Sequence, residues 1–169
     1  QITGATTFRI DEGLDTGDMI MKSEVPIAED ETGETLHDKL AAAGAELCVE
    51  TLKALEDGTA VHEKQGESPT AYAKMLTKEL GNIDWAQPAV RIERLIRGLN
   101  SWPGTYSHWN GKVMKIWKAK AEENNGGNNQ PGAVLGVGKN DITVQTGDGI
   151  LRILEVQMPG KKRMETGAF

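Results

Sequence analysis

Thr6–Asp18 reads TTFRIDEGLDTGD. Its first five residues, Thr6–Ile10, are β-branched and alternating, the pattern of a strand. They run into Asp11–Asp18, which packs four carboxylates and two glycines into eight residues. By spacing alone this is a solvated acidic turn between strands or a Ca²⁺ loop. The EF-hand alternation and its closing Glu are missing, which weakens the calcium reading. A sharper reading lets the glycines bring backbone close to a planar ligand while one Asp is held for proton traffic. Strand-like sequence resumes at Met19–Ile27, where Pro26 puts the end at a sheet edge.

Downstream lies the strongest helical pattern in the chain. Thr32 or Thr35 serves as N-cap, and Asp38 stands three residues after Thr35 at capping-box spacing. Leu36, Leu40, Ala43, Leu47, Thr51 and Leu55 recur at helical spacing, and Gly58 stops the run. Cys48, beside Leu47 and near Leu52 and Leu55, reads as a buried, inert thiol. From Thr59 to Asn82 the periodicity dissolves into polar, turn-rich sequence, read as a linker. The organisation expected is therefore residues 1–60, a linker at 61–83, and a second unit at 84–169, truncated at its end.

The second unit opens with a helix from about Pro88, which suits a first-turn position. Ile92, Leu95, Ile96 and Leu99 form its apolar stripe, and Arg91, Arg94 and Arg97 lie off it. After Gly104 the period becomes that of strands. Asn110-Gly111 is the strongest short-range hairpin signal. Lys112–Ala119, Ala133–Val137, Ile142–Thr146 and Ile150–Gln157 follow as short strands, with an Asn/Gly-rich connection at Glu122–Gly132. That pattern predicts a small barrel or sandwich. Trp102, Trp109 and Trp117 read as core aromatics. No closing element is evident before Phe169.

The 169 residues are enough to bury a core in one ordinary domain or two small ones. Nineteen basic and 25 acidic residues leave a net charge of −6, against a generic polyanion binder. The halves differ in sign: residues 1–83 hold 7 basic and 17 acidic residues, residues 84–169 hold 12 and 8. The second is better suited to meet phosphate. One cysteine leaves no internal disulfide and fits a reducing compartment, so a cytoplasmic location is expected. No apolar run approaches the roughly 20 residues of a membrane span, and the acidic start excludes a signal peptide. Beginning at Gln1, the chain reads as a piece of something longer. His37, His62 and His108 are scattered without Cys partners, so no metal is expected. No P-loop, dinucleotide glycine fingerprint or nucleophile elbow occurs.

Asp11-Glu12-Gly13-Leu14-Asp15-Thr16-Gly17 after a TTFRI strand resembles the folate loop of formyltransferases that use 10-formyltetrahydrofolate. Further segments follow in order: Glu34–Leu40, Tyr72–Glu79, Ile83-Asp84-Trp85, Ile96–Gly104, Lys115–Ala119 and Pro159–Met164. Together they resemble the methionyl-tRNA formyltransferase family over nearly the whole chain. The resemblance implies an α/β Rossmann-like formyltransferase portion followed by a mostly-β OB-like barrel. It implies 10-formyltetrahydrofolate as formyl donor and co-substrate, methionyl-initiator-tRNA as partner, and a monomer at full length. The family's catalytic set is an Asn, a His and an Asp. The match places the Asp at Asp15; the Asn and His lie upstream in the family, and no residue here takes their roles. Asp15 would hold that His in its useful protonation state while fixed donors stabilise the developing oxyanion. The pterin would lie against Asp11, Glu12, Gly13, Leu14, Asp15, Thr16 and Gly17. Gly13 and Gly17 would permit close approach, with Leu14 as apolar cover. As a fragment, the chain is expected to be inactive by itself.

Arg91, Arg94, Lys112, Lys115, Lys161, Lys162 and Arg163 are the basic residues expected to meet tRNA. Each taken singly is as well read as a solvated face; collectively they make a phosphate footprint. Two other readings stand beside this one. One is a formyltransferase acting on a nucleotide-linked amino sugar, and the other is a non-catalytic RNA-binding module.

Overall fold

The computed structural model describes residues 1–67, 70–123 and 129–169. Ser68-Pro69 of the expected linker, and residues 124–128 of the Asn/Gly-rich connection before Gly132, lie outside the described residues. Two units separate by their contacts: Gln1–Glu31 with Thr35–Lys74, and Thr32–Glu34 with Met75–Phe169.

The first unit is a hairpin with a helix. Strand β1 (Ile2–Phe8) pairs antiparallel with β2 (Met19–Pro26), from Ile2 opposite Pro26 to Thr7 opposite Met21. The register slips at Phe8, which pairs with Met19. The strand read at Thr6–Ile10 therefore starts earlier and ends at Phe8. Beyond it Arg9 N donates to Asp18 O at 2.9 Å and closes the acidic loop.

Helix α1 (Gly33–Glu56) starts directly after Thr32 and buries Leu47, Thr51 and Ala54. Thr51 Oγ1 donates to the Leu47 carbonyl at 2.7 Å and meets Thr7 Oγ1 of β1 at 2.8 Å. Cys48 is exposed, contrary to the buried thiol expected, as are Val49, Leu52 and Leu55. The covered face of α1 follows Leu47, Thr51 and Ala54, and each residue turns about 100° from the last, so position 48 leaves it. The chain after α1 also departs from the linker reading. Thr59 N and Ala60 N cap the helix on Ala54 O, and Glu63 then exchanges both backbone hydrogen bonds with Met19 at 2.8 and 2.9 Å. Residues 59–65 are thereby fastened to the first unit.

In the second unit helix α2 (Ala89–Gly98) buries Ala89, Ile92 and Ile96. Pro88 is its N-cap, one position before the first turn. The strands are β3 (Thr105–Trp109), β4 (Lys112–Glu122), β5 (Val134–Val137), β6 (Ile142–Gln145), β7 (Ile150–Gln157) and β8 (Met164–Glu165). They form one antiparallel sheet in the order β3-β4-β7-β6-β5, with β8 also on β7. The β3–β4 turn is the expected one: Trp109 pairs with Lys112, and Asn110 and Gly111 both take positive φ, 48° and 72°. A closing element does exist, since β8 pairs with the end of β7 and Thr166 Oγ1 donates to Asn140 O at 2.7 Å.

The core of this unit joins Ile92 and Ile96 of α2 to Met114, Ile116 and Ala119 of β4 and Leu151, Ile153 and Val156 of β7. The inward spacings 116–119 and 153–156 break strict alternation. The β4–β7 register slips past Trp117 on one strand and past Leu154 on the other, and such bulges re-aim the side chains that follow. Trp117 consequently sits half-buried at the slip, while Trp102 and Trp109 are 60% and 44% exposed. These three aromatics, expected in the core, therefore stand outside it. The partly buried tryptophan packed on the core is Trp85, whose Nε1 donates to Ser107 Oγ at 3.0 Å.

Candidate functional site

The acidic loop is held from within by Asp11. Its Oδ1 accepts from Gly13 N at 3.0 Å and from Thr16 Oγ1 at 2.7 Å, an Asx turn with a second clasp. Both glycines are demanded by the loop itself. A Cβ at Gly13 would stand 2.0 Å from Thr16 Oγ1, and one at Gly17 would stand 1.6 Å from Arg9 O. These contacts give an internal reason for glycine at both positions, apart from any ligand. Gly17 is buried, while residues 11–16 are exposed, Leu14 to 70%.

Asp15 adopts φ +57°, a left-handed conformation uncommon outside glycine. Its carboxylate makes no hydrogen bond or ion pair with another described residue. Its backbone, by contrast, is fixed from far along the chain. Gln65 Nε2 donates to Asp15 O at 2.8 Å and to Gly17 O at 2.7 Å. Gln65 carried no signal in the sequence, because it lies in the stretch without periodicity.

In the second unit the seven basic residues expected to meet phosphate are all exposed. The structure groups some of them. Lys115 Nζ and Arg163 Cζ both lie over the Trp117 ring, 5.3 and 5.2 Å from its centroid. Trp117 Nε1 donates to Gln157 Oε1 at 3.1 Å, and Gln157 Nε2 donates to Lys161 O at 2.8 Å. This ties the 161–163 turn to β4. Lys112 and Lys161 border one groove of about 640 Å³, shared with Trp109, Val113, Met158 and Phe169. Arg163 is also paired with Glu155, which draws on its charge. Arg91 and Arg94 stay on the outer face of α2, while Arg97 pairs with Glu93 one turn before it. Arg152 is spent internally: it bonds Glu122 at 2.6 and 2.9 Å and also Asp141. Those bonds hold the Glu122 carboxyl below its ordinary range. Among the described residues no group of three or more His, Cys, Asp or Glu could hold a metal ion, and no helix is long and apolar enough to cross a membrane.

Residues 1–52 match the family model described as formyl transferase, and residues 75–169 match the model described as formyl transferase, C-terminal domain. A methionyl-tRNA formyltransferase of Agathobacter rectalis is 56% identical over 169 residues, which is 100% of this chain and 54% of the relative. The methionyl-tRNA formyltransferase of Caldanaerobacter subterraneus is 51% identical, with 96% of this chain and 52% of the relative covered. The chain spans about half the length of these curated relatives. Among solved structures, an N-formyltransferase from Helicobacter canadensis, in complex with folinic acid and dTDP-3-aminofucose, shares the fold. Its TM-score is 0.68 at 21% identity, over 93% of this chain and 56% of that one. On the two family models and these relatives, this chain belongs to the formyl transferase family.

Proposed function

We propose that this chain furnishes the Asp-bearing loop and the tRNA-facing unit of a methionyl-tRNA formyltransferase. The reaction moves a formyl group from 10-formyltetrahydrofolate to the amino group of methionyl-initiator-tRNA, in the cytoplasm. The observation that carries this reading is Asp15: an exposed carboxylate with no partner among the described residues, on a backbone held at positive φ, in a chain of the formyl transferase family. The finer fold follows the same reading, with a Rossmann-like end for the first unit and an OB-like barrel for the second. A catalytic Asn and His come from the half of the relatives that this chain does not span. The full-length protein acts as a monomer, with no metal and no membrane.

The loop's chemistry fits a folate. A pterin presents ring N–H and amino donors on a flat apolar ring, and residues 11–17 offer the Asp15 and Glu12 carboxylates beside the exposed Leu14. When bound, the folate supplies the activated formyl carbon. The Asp15 carboxylate accepts a hydrogen bond from a neighbouring cation or N–H and so favours the protonated partner. Arg91, Arg94, Lys112, Lys115, Lys161, Lys162 and Arg163 place positive charge where phosphates of the tRNA would run. Shape-guided contact of this kind suits RNA, whose deep major groove side chains do not read.

The test is formyl transfer by the full-length protein, offered methionyl-tRNA in one assay and a nucleotide-linked amino sugar in another. Asp15→Asn is expected to lower turnover on methionyl-tRNA by about 10²–10⁴-fold, the range for losing a positioned acid or base. Binding of tRNA should stay near normal. Full activity in Asp15→Asn removes the role from this residue, and transfer to the sugar alone replaces the substrate.

A further inference from the structure

Gln65 stands 50 residues from Asp15, yet its carboxamide reaches two carbonyls of the acidic loop. The nitrogen has two protons, one for Asp15 O at 2.8 Å and one for Gly17 O at 2.7 Å. These carbonyls lie on either side of Thr16, so the bonds fix the peptides that follow Asp15. The clasp inside the loop does not do this, because Asp11 engages only Gly13 N and Thr16 Oγ1. Gln65 is in turn brought to the loop by Glu63, two residues earlier, which exchanges both backbone bonds with Met19.

The direction of the Asp15 carboxylate follows from its backbone. At φ +57° the Cα–Cβ bond points where an ordinary strand residue's would not. Rotation of either neighbouring peptide swings the carboxylate with it. We propose that Gln65 is a positioning residue for Asp15: its two donated hydrogen bonds hold the loop peptide at the φ that aims the carboxylate. This rests on Asp15 acting in formyl transfer. The role requires a donor at position 65, not merely a side chain of that size. Gln65→Glu keeps the length but loses both protons, and sets a carboxylate against two carbonyl oxygens.

The experiment measures kcat and KM for formyl transfer to methionyl-tRNA by the full-length protein and its Gln65→Ala and Gln65→Glu variants. Circular dichroism shows that each is folded. Gln65→Ala is expected to lower kcat about 10- to 100-fold, the scale of a small misplacement of a catalytic group, with KM for the tRNA unchanged. Gln65→Glu should fall below Gln65→Ala. A purely space-filling role predicts the reverse order, with the glutamate near wild type. An unchanged kcat in Gln65→Ala, or a glutamate variant more active than the alanine, overturns the proposal alone. A wild-type protein that transfers no formyl group overturns the reading of Asp15 and this proposal with it.

Discussion

Asp15 and Glu31 are two carboxylates of the first unit in opposite surroundings. Asp15 is exposed, and its carboxylate has no partner among the described residues. The Glu31 side chain is 4% exposed and accepts from Thr35 Oγ1, Lys39 Nζ and Ala28 N. Hydrogen bonds from Lys39 first, then Thr35, favour its ionised form and lower its pKa from the ordinary 4.5 to about 2. A folded-state pKa below the unfolded one gives stability that is complete above pH 4.5 and is lost as pH falls from 4.5 toward 2. Glu31→Gln is thus expected to weaken the protein at pH 7 and to flatten its decline between pH 5 and 2. Urea midpoints at pH 7 and pH 3 decide this, and equal declines in the two proteins would remove Glu31 from the acid transition.

Elements of the second unit show how side-chain direction is set by pairing. β4 and β7 both carry an inward spacing of three, and the slips at Trp117 and Leu154 reconcile it with the pleat. Leu151, which precedes the slip, is 0% exposed in the centre of the core. Leu151→Ala should cost about 2–5 kcal/mol, from lost transfer energy plus the cavity left behind. Val113, on the outer side of β4 and 41% exposed, is the control. Its alanine variant should stay within about 0.5 kcal/mol of wild type. Thermal and urea denaturation of the two variants measure the difference, and similar costs would contradict the packing described.

Across the whole molecule charge divides by region, with residues 1–83 net acidic and residues 84–169 net basic. Phosphate contacts of the kind proposed for the basic region would release counterions, so binding would weaken with salt. Titrating tRNA against the full-length protein at several salt concentrations should give a log–log slope of about −0.7 to −0.9 per phosphate contact. Lys112→Glu with Lys161→Glu, on either side of one groove, should make that slope shallower by about two contacts. Binding indifferent to salt, or a slope that the double variant leaves alone, would take phosphate recognition away from this surface.

Local patterns in the sequence determine much of the architecture. Asn110-Gly111 specifies a two-residue turn because both positions take positive φ, and β3 and β4 meet across it. Apolar periodicity places α1 and α2, and the strand read at Ile150–Gln157 is β7 with those bounds. The chemistry given to Asp15 comes from resemblance, since spacing alone leaves Asp11–Asp18 a solvated turn. Tertiary structure decided what depends on partners distant in sequence. Cys48 and Trp102 are exposed because no described element covers those faces, and no local period encodes that. Trp117 is turned by a register slip that needs β7 as well as β4. Gln65 reaches the acidic loop from a segment whose Glu63 pairs with Met19, 44 residues away. Turn chemistry and periodicity act through the backbone dihedrals of adjacent residues. A hydrogen bond across such separations exists only once the intervening chain has folded back.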